Sequence, residues 1–326
     1  MQSATNRSFT RRVCWILVSS ALVLTLGACS HAPKRIAEPD VMATVEGVRY
    51  EMRYFYGQDG TRLFRQAWIP ADKTRGVLVI VHGFKDHGGR YADLGQQLAK
   101  QGFAVFAPDL RGHGYSEGPP QLVNQFNDYL VDLALVVRQA RTEFPDTPVF
   151  LLGNDIGGTI ATRFVEMIPN AVQGLALSGA SLASQESKYK LLGMKALAAI
   201  APSVPVMQVD VKAFSHDPEV VQALMQDPLV SQSGIPAKTV AEEATAIHTA
   251  QEQEQTERLT LPLLVMHGVS DTVAPLYGSI ALYDAAPSEK KSLKQYPGLG
   301  HDLWHESEKA TVIADLTEWL NGLVKP

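Results

Sequence analysis

Short, unbroken apolar runs recur along the chain at Val77 to Val81, Phe103 to Ala107, Val149 to Leu152, Leu175 to Leu177 and Leu263 to Met266. Each is followed closely by Gly, Asp, Ser or His. Runs of this length without polar alternation suit strands covered on both faces, the condition of a parallel sheet. Helix-period stretches separate them, over Tyr91 to Gln101, Phe126 to Phe144 and Gly158 to Met167. This alternation of strand and helix predicts an α/β fold with a mostly parallel central sheet. Ahead of it, Val48, Tyr50, Met52 and Tyr54 fall on one side of a strand pattern. Gly57-Gln58-Asp59-Gly60 then signals a turn before Leu63 to Trp68, so the opening reads as antiparallel. Such a domain needs a substantial core, which 326 residues at 45% hydrophobic can supply.

The alternation breaks between about residues 184 and 260, a stretch rich in Ala, Gln, Glu and Lys and punctuated by Pro202, Pro205, Pro218, Pro228 and Pro236. It reads as a helical insertion. In an open α/β sheet the ligand crevice lies beyond the carboxyl ends of the strands, so an insertion after the strand ending near Ser178 is placed to act as a lid. Its Leu191, Leu192, Met194, Leu197, Met207, Leu224 and Met225 suit an acyl chain, although the same spacing also suits packing onto the sheet. The formal net charge of -5 gives no basic field for a polyanion and argues against a nucleic-acid partner.

The first residues are of a different material. Arg7, Arg11 and Arg12 precede an apolar run from Val13 to Leu26, and Leu26-Gly27-Ala28-Cys29 follows. That is the layout of an export signal, too short in its apolar part to span a membrane comfortably. The small residues followed at once by Cys29 resemble the lipobox of bacterial lipoproteins, which implies removal of residues 1–28 and lipidation of Cys29. Cys14 would be removed with the signal, leaving no partner for a disulfide. Residues 29–44, with Pro33, Lys34, Arg35 and Pro39, read as a tether, and 45–326 as the domain. The expected location is the cell envelope, membrane-bound through Cys29. Ser30 resembles the outer-membrane sorting pattern, should the host be Gram-negative.

The chemistry lies at the strand ends. Gly153-Asn154-Asp155-Ile156-Gly157-Gly158 has the form G-x-D-x-G-G, in which small residues on either side of a reactive group relieve crowding at a sharp strand-to-helix turn. Here the exposed group is Asp155, which could equally serve as a simple helix N-cap. The loop after His82-Gly83-Phe84 can aim the Phe84 N–H at the same point as the Ile156 N–H, making an oxyanion hole. His267-Gly268-Val269-Ser270-Asp271 ends a later strand with an acid, and Tyr296-Pro297-Gly298-Leu299-Gly300-His301 ends the next with an imidazole. Asp155, Asp271 and His301 thus stand in the order nucleophile, acid, base.

These motifs together resemble the monoacylglycerol lipase and lysophospholipase branch of the α/β-hydrolases, akin to the S33 serine aminopeptidases, over about residues 50–323. The resemblance includes His82-Gly83-Phe84-Lys85-Asp86-His87-Gly88-Gly89-Arg90-Tyr91 and Asp109-Leu110-Arg111-Gly112-His113-Gly114-Tyr115-Ser116. It extends to Ser215-His216-Asp217-Pro218-Glu219 with Asp227-Pro228-Leu229-Val230 in the insertion. It implies a central sheet of about eight strands with a helical lid, and hydrolysis of a lipid-like substrate.

The departure is Asp155, where that branch has Ser. A carboxylate attacking an ester carbonyl would form an anhydride by expelling a poorer leaving group than itself, so the adduct should mostly collapse backwards. It can instead attack a saturated carbon, giving an alkyl ester that a His-activated water cleaves. Epoxide hydrolases and haloalkane dehalogenases are similar in that respect. Dehalogenases hold the halide with Trp or Asn at positions where this chain has Ile156 and Phe84. Epoxide hydrolases use paired lid Tyr residues, and this lid offers Tyr189 alone, with His216 and His248 as other candidate acids. The readings are therefore a hydrolase of apolar or lipid-like small molecules using Asp155, an esterase copy in which Asp replaces the working Ser, or a non-catalytic lipoprotein binding an acyl ligand or envelope partner. No metal is expected, because the His and Asp residues lack a ligand spacing, and no cofactor, because the glycines after Asp155 lack the Lys and Ser/Thr of a phosphate loop.

Overall fold

The structure is a computed structural model that describes residues 42–183 and 188–325. The signal segment, Cys29, most of the tether and the side chain of Tyr189 lie outside the described residues. The chain opens with β1 (Met42–Val45), β2 (Val48–Tyr56), β3 (Arg62–Pro70) and β4 (Gly76–Val81). Then come α1 (Ala92–Lys100), β5 (Phe103–Pro108), α2 (Phe126–Glu143), β6 (Val149–Asn154), α3 (Ile156–Met167) and β7 (Gly174–Ser178). The insertion carries α4 (Lys188–Ile200), β8 (Pro205–Met207), α5 (Pro218–Gln226), β9 (Ile235–Pro236), α6 (Ala237–Ala250) and the short α7 (Gln253–Thr256). The closing elements are β10 (Leu263–Gly268), α8 (Leu276–Ala285), β11 (Lys291–Tyr296) and α9 (Lys309–Asn321).

A nine-stranded sheet runs in the order β1-β2-β3-β5-β4-β6-β7-β10-β11, antiparallel as far as the β3–β5 pair and parallel from β5 onward. The α/β reading holds, with the four-residue hairpin arm β1 added at the edge of the expected sheet. The all-apolar runs have the predicted cause. Along β4, Val77, Val79 and Val81 pack with Leu133 and Val137 of α2 and Ile160 of α3, while Leu78 and Ile80 pack with Leu98 of α1 and Leu316 of α9. Each strand therefore needs apolar side chains on both faces, and full burial of such a side chain contributes about 1.5–3 kcal/mol.

From β4 the chain goes to β5 on one side and then crosses to β6 on the other, so the carboxyl ends of β4 and β6 stand side by side at a topological switch point. That crossing puts Phe84, just after β4, beside Asp155, just after β6. Further along the sheet, β10 and β11 deliver the loops holding Asp271 and His301.

Candidate active site

Asp155 sits at φ 52°, ψ -123°, the strained turn that the flanking glycines allow. A Cβ on Gly157 would come within 2.0 Å of the Val81 carbonyl oxygen, and one on Gly153 within 2.4 Å of the Gly157 carbonyl oxygen. The motif is therefore a steric requirement of strand, turn and helix meeting at one place. Gly83 belongs to the same requirement, since its Cβ would lie 2.6 Å from that of Asp155.

The carboxylate does not cap its helix in the usual way, as it makes no side-chain cap hydrogen bond. Its Oδ2 accepts from the Phe84 N–H at 2.9 Å, and the adjoining Ile156 amide favours the charged form of the same carboxylate. Of the two amides expected to form an oxyanion hole, that of Phe84 is thus already engaged by an oxygen of Asp155. Its Oδ1 lies 3.8 Å from His301 Nε2, an atom that is buried and makes no hydrogen bond among the described residues. The His301 Nδ1–H donates to Asp271 Oδ2 at 2.8 Å, which orients the ring with Nε2 toward Asp155. Asp271 is itself fixed, its Oδ1 accepting from the Val273 and Ala274 amides at 2.8 and 2.9 Å.

Charge follows from this arrangement. Burial raises the Asp155 carboxyl, partly offset by His301 and the two amides. Burial alone would depress His301, but the bond to Asp271, the Asp271 charge and the Asp155 charge outweigh it and lift the imidazole to about 9. Burial would raise Asp271, yet hydrogen bonds from His267 and His301 hold it well below the usual carboxylate range. His301 is thus held between two carboxyl groups that favour its protonated form.

A cavity of about 400 Å³ opens on Asp155 and Phe84, lined on the lid side by Leu191, Met194, Met207 and Ile247. Of the seven lid residues suited to an acyl chain, Leu191, Met194 and Met207 reach it. Leu192, Leu197 and Met225 are exposed, and Leu224 packs with Val211, Phe214 and Val230 because α5 forms a small apolar cluster of its own. The two histidines considered as lid acids are not at the site. His216 is exposed and faces Glu306 at 3.3 Å, and His248 lies on the solvent side of α6.

Three groups escaped the sequence reading. His267 sets its Nε2 3.1 Å from Asp271 Oδ2, bracing the acid from behind. His82, pinned between the Gly83 carbonyl and the Leu110 amide, holds the loop that carries Phe84, and burial keeps its ring neutral by lowering it to about 3. The third is Glu243 of α6, a buried carboxyl on the cavity wall.

Residues 72–308 match the family model described as serine aminopeptidase, S33. The chain is 35% identical over 268 residues to the monoacylglycerol lipase of Mycolicibacterium smegmatis, covering 82% of this chain and 95% of that protein. It is 31% identical to the monoglyceride lipase of Rattus norvegicus, over 85% of this chain and 93% of the relative. Among solved structures, the monoacylglycerol lipase of Paleococcus ferrophilus is similar with a TM-score of 0.72 and 26% identity, covering 79% of this chain and 98% of that one.

Proposed function

The chain belongs to the serine aminopeptidase S33 family and is a hydrolase resembling the monoacylglycerol lipases, and from that footing we propose that it hydrolyses an apolar, lipid-like small molecule through an alkyl ester on Asp155. One observation carries the reading. The Asp155 carboxylate is divided between two environments, Oδ2 held by the Phe84 amide at 2.9 Å and Oδ1 left 3.8 Å from His301 on the cavity side.

Oδ1 attacks a saturated carbon and displaces the leaving group, so that Oδ2 becomes the carbonyl oxygen of an ester already held by the Phe84 N–H. With the Asp155 charge gone, His301 releases its proton to solvent; its Nε2 then takes a proton from water, and the hydroxide adds to Asp155 Cγ. The developing charge on Oδ2 is met by the Phe84 amide, which need not move. Collapse releases the alcohol with the proton from His301. Esterification also removes the Asp155 charge that helps keep His301 protonated, so the base becomes available when it is needed. An ordinary ester substrate fits this site poorly. Its carbonyl oxygen needs the Phe84 amide, and Asp155 Oδ2 already holds it.

The test is single turnover of the purified protein in heavy-oxygen water with epoxide, haloalkane and ester probes. Label is expected in the Asp155 carboxylate, found in the peptide that contains it. Turnover without label would mean that Asp155 and His301 activate water directly. No reaction with any probe would favour a carrier of apolar ligands.

We further propose that the mature chain begins at Cys29 and is held in the cell envelope by lipid on that residue, the support being the run from Val13 to Cys29. Metabolic labelling with palmitate should mark the wild-type chain and not Cys29→Ser. Equal labelling of the two would refute the anchor.

A further inference from the structure

Glu243 lines the same cavity as Asp155 and is buried. Its Oε1 accepts from the Ser181 hydroxyl at 2.9 Å, while the Ser181 amide donates to the Asp155 carbonyl at 3.0 Å, so the loop after β7 links the two carboxyl groups. The groups that act on it from the surrounding elements are Asp155 at the start of α3, Ser181 after β7 and Tyr129 of α2. The lid elements α4 and β8 contribute apolar Leu191, Met194 and Met207 to the cavity wall. None of these is cationic. An acid so placed keeps its proton at neutral pH: burial, and then the Asp155 charge, lift Glu243 to about 8 against the Ser181 hydrogen bond. The mechanism above leaves this proton unused.

A leaving group decides whether a proton is needed. Halide departs as a stable anion and asks for N–H donors, but the Phe84 amide is committed to Asp155 Oδ2 and the Ile156 amide serves the same carboxylate. A ring oxygen departing from carbon becomes an alkoxide and asks for an acid. Resting on the reading of Asp155 as nucleophile, we propose that the substrate class is an epoxide on an apolar chain and that Glu243 is the catalytic residue that protonates the departing ring oxygen.

Asp155 Oδ1 forms a bond to one epoxide carbon as the C–O bond breaks, and the Glu243 proton passes to the freed oxygen, leaving a hydroxyalkyl ester and a Glu243 carboxylate. With the Asp155 charge gone, His301 releases its own proton to solvent, takes one from the water that adds to Cγ, and returns that one to the second oxygen as collapse expels it; it regains the first from solvent when Asp155 is again ionised. The vicinal diol leaves. Asp155 is then the protonated partner and returns its proton to Glu243, so the cycle consumes one water and restores both groups.

The test compares 1,2-epoxyhexane with 1-bromohexane as single-turnover probes of the full-length chain and of Glu243→Gln, reading the mass added to Asp155. Loss of general acid catalysis should slow ester formation from the epoxide by about 100-fold or more and leave that from the bromide within about threefold. In the wild type the epoxide rate should fall above about pH 8, a limb missing from the bromide profile and from Glu243→Gln. No loss on the epoxide, or equal loss on both probes in a variant whose circular dichroism and melting match the wild type, would overturn the donor role. Because the bromide reports the nucleophile without the donor, a misfolded variant shows itself as loss on both, and Glu243→Asp then replaces it, with partial retention of the epoxide rate expected and full loss on that probe alone counting against the donor. Absence of any Asp155 adduct from either probe in the wild type would remove the nucleophile reading and the donor role with it.

Discussion

At the level of single residues, Asp155, Asp271 and His301 are legible in the sequence because each ends a strand, and strand ends in a parallel sheet converge on one edge. Glu243 is not. It neighbours Glu242, about 100° away around the helix, and spacing alone does not say which of the two turns inward. Glu242 faces outward to Lys238 and the Phe126 amide, while Glu243 lies with Thr239, Val240, Ala246 and Ile247 on the buried face. The signal was an acid in an apolar stripe, which helical spacing alone reads as surface. The division of labour at the site gives a sharper prediction for His301. If Nε2 serves only after Asp155 has been alkylated, His301→Gln should still form the ester but hydrolyse it about 100-fold more slowly or worse. The adduct would then accumulate in intact-protein mass spectra. Loss of both steps without accumulation would mean that His301 is required for the attack itself.

At the level of elements, the motifs that carry the family resemblance turn out to hold loops together. Lys85 donates to the Ser231 and Ser233 carbonyls, His87 Nε2 lies 2.9 Å from Asp227 Oδ2, and Glu306 receives the Ser215 hydroxyl and the Gly300 amide. The loop after β4 and the loop of His301 are thereby fastened to the lid. Sequence spacing shows that such residues recur in known patterns but not which pairs meet, because the partners are as much as 212 positions apart. Arg90 is the strongest of these fasteners. It reaches Asp86 at 3.0 Å and Asp302, next to His301, at 2.5 Å, with all three side chains buried or nearly so. Arg90→Met keeps the stem and leaves two buried carboxylates without their cation, a loss of about 3–5 kcal/mol. Chemical denaturation should show it as a lowered midpoint with an unchanged slope. A shift below about 1 kcal/mol would mean that the cluster resembles exposed ion pairs in its energetics.

At the level of the whole molecule, buried titratable groups of opposite habit set how stability depends on pH. Glu243 at about 8 and Glu166 at about 7, each raised chiefly by burial from an ordinary 4.5, bind protons in the folded chain that the unfolded chain has released. His301, raised to about 9 from 6.5 because Asp271 and Asp155 outweigh its burial, does the same. Stability therefore falls as pH rises from about 6.5 to about 9, where the folded state holds more protons than the unfolded state. Below 6.5 two buried imidazoles work the other way. His82 and His113, lowered by burial to about 3 and about 4, stay neutral in the folded chain while the unfolded chain protonates them. They offset most of the gain from the glutamates, but Asp109, raised by burial to about 6 from 3.8, adds to it, so stability should keep rising, more slowly, as pH falls toward about 5. Below about 4 Asp271 and Asp302 decide the sign. Burial would raise each, but the former's bonds from His267 and His301, and the latter's contacts with His305 and Arg90, hold both carboxyls lower than in the unfolded chain. The unfolded chain then binds the extra protons and gains. Melting temperature followed by circular dichroism should accordingly peak near about pH 5 and decline on both sides. In Glu243→Gln the decline toward pH 8 should be shallower, since one of the groups that loses its folded-state proton there is gone. An identical alkaline decline in the variant would mean that Glu243 is already ionised in the folded protein, and the proton assigned to it would not exist.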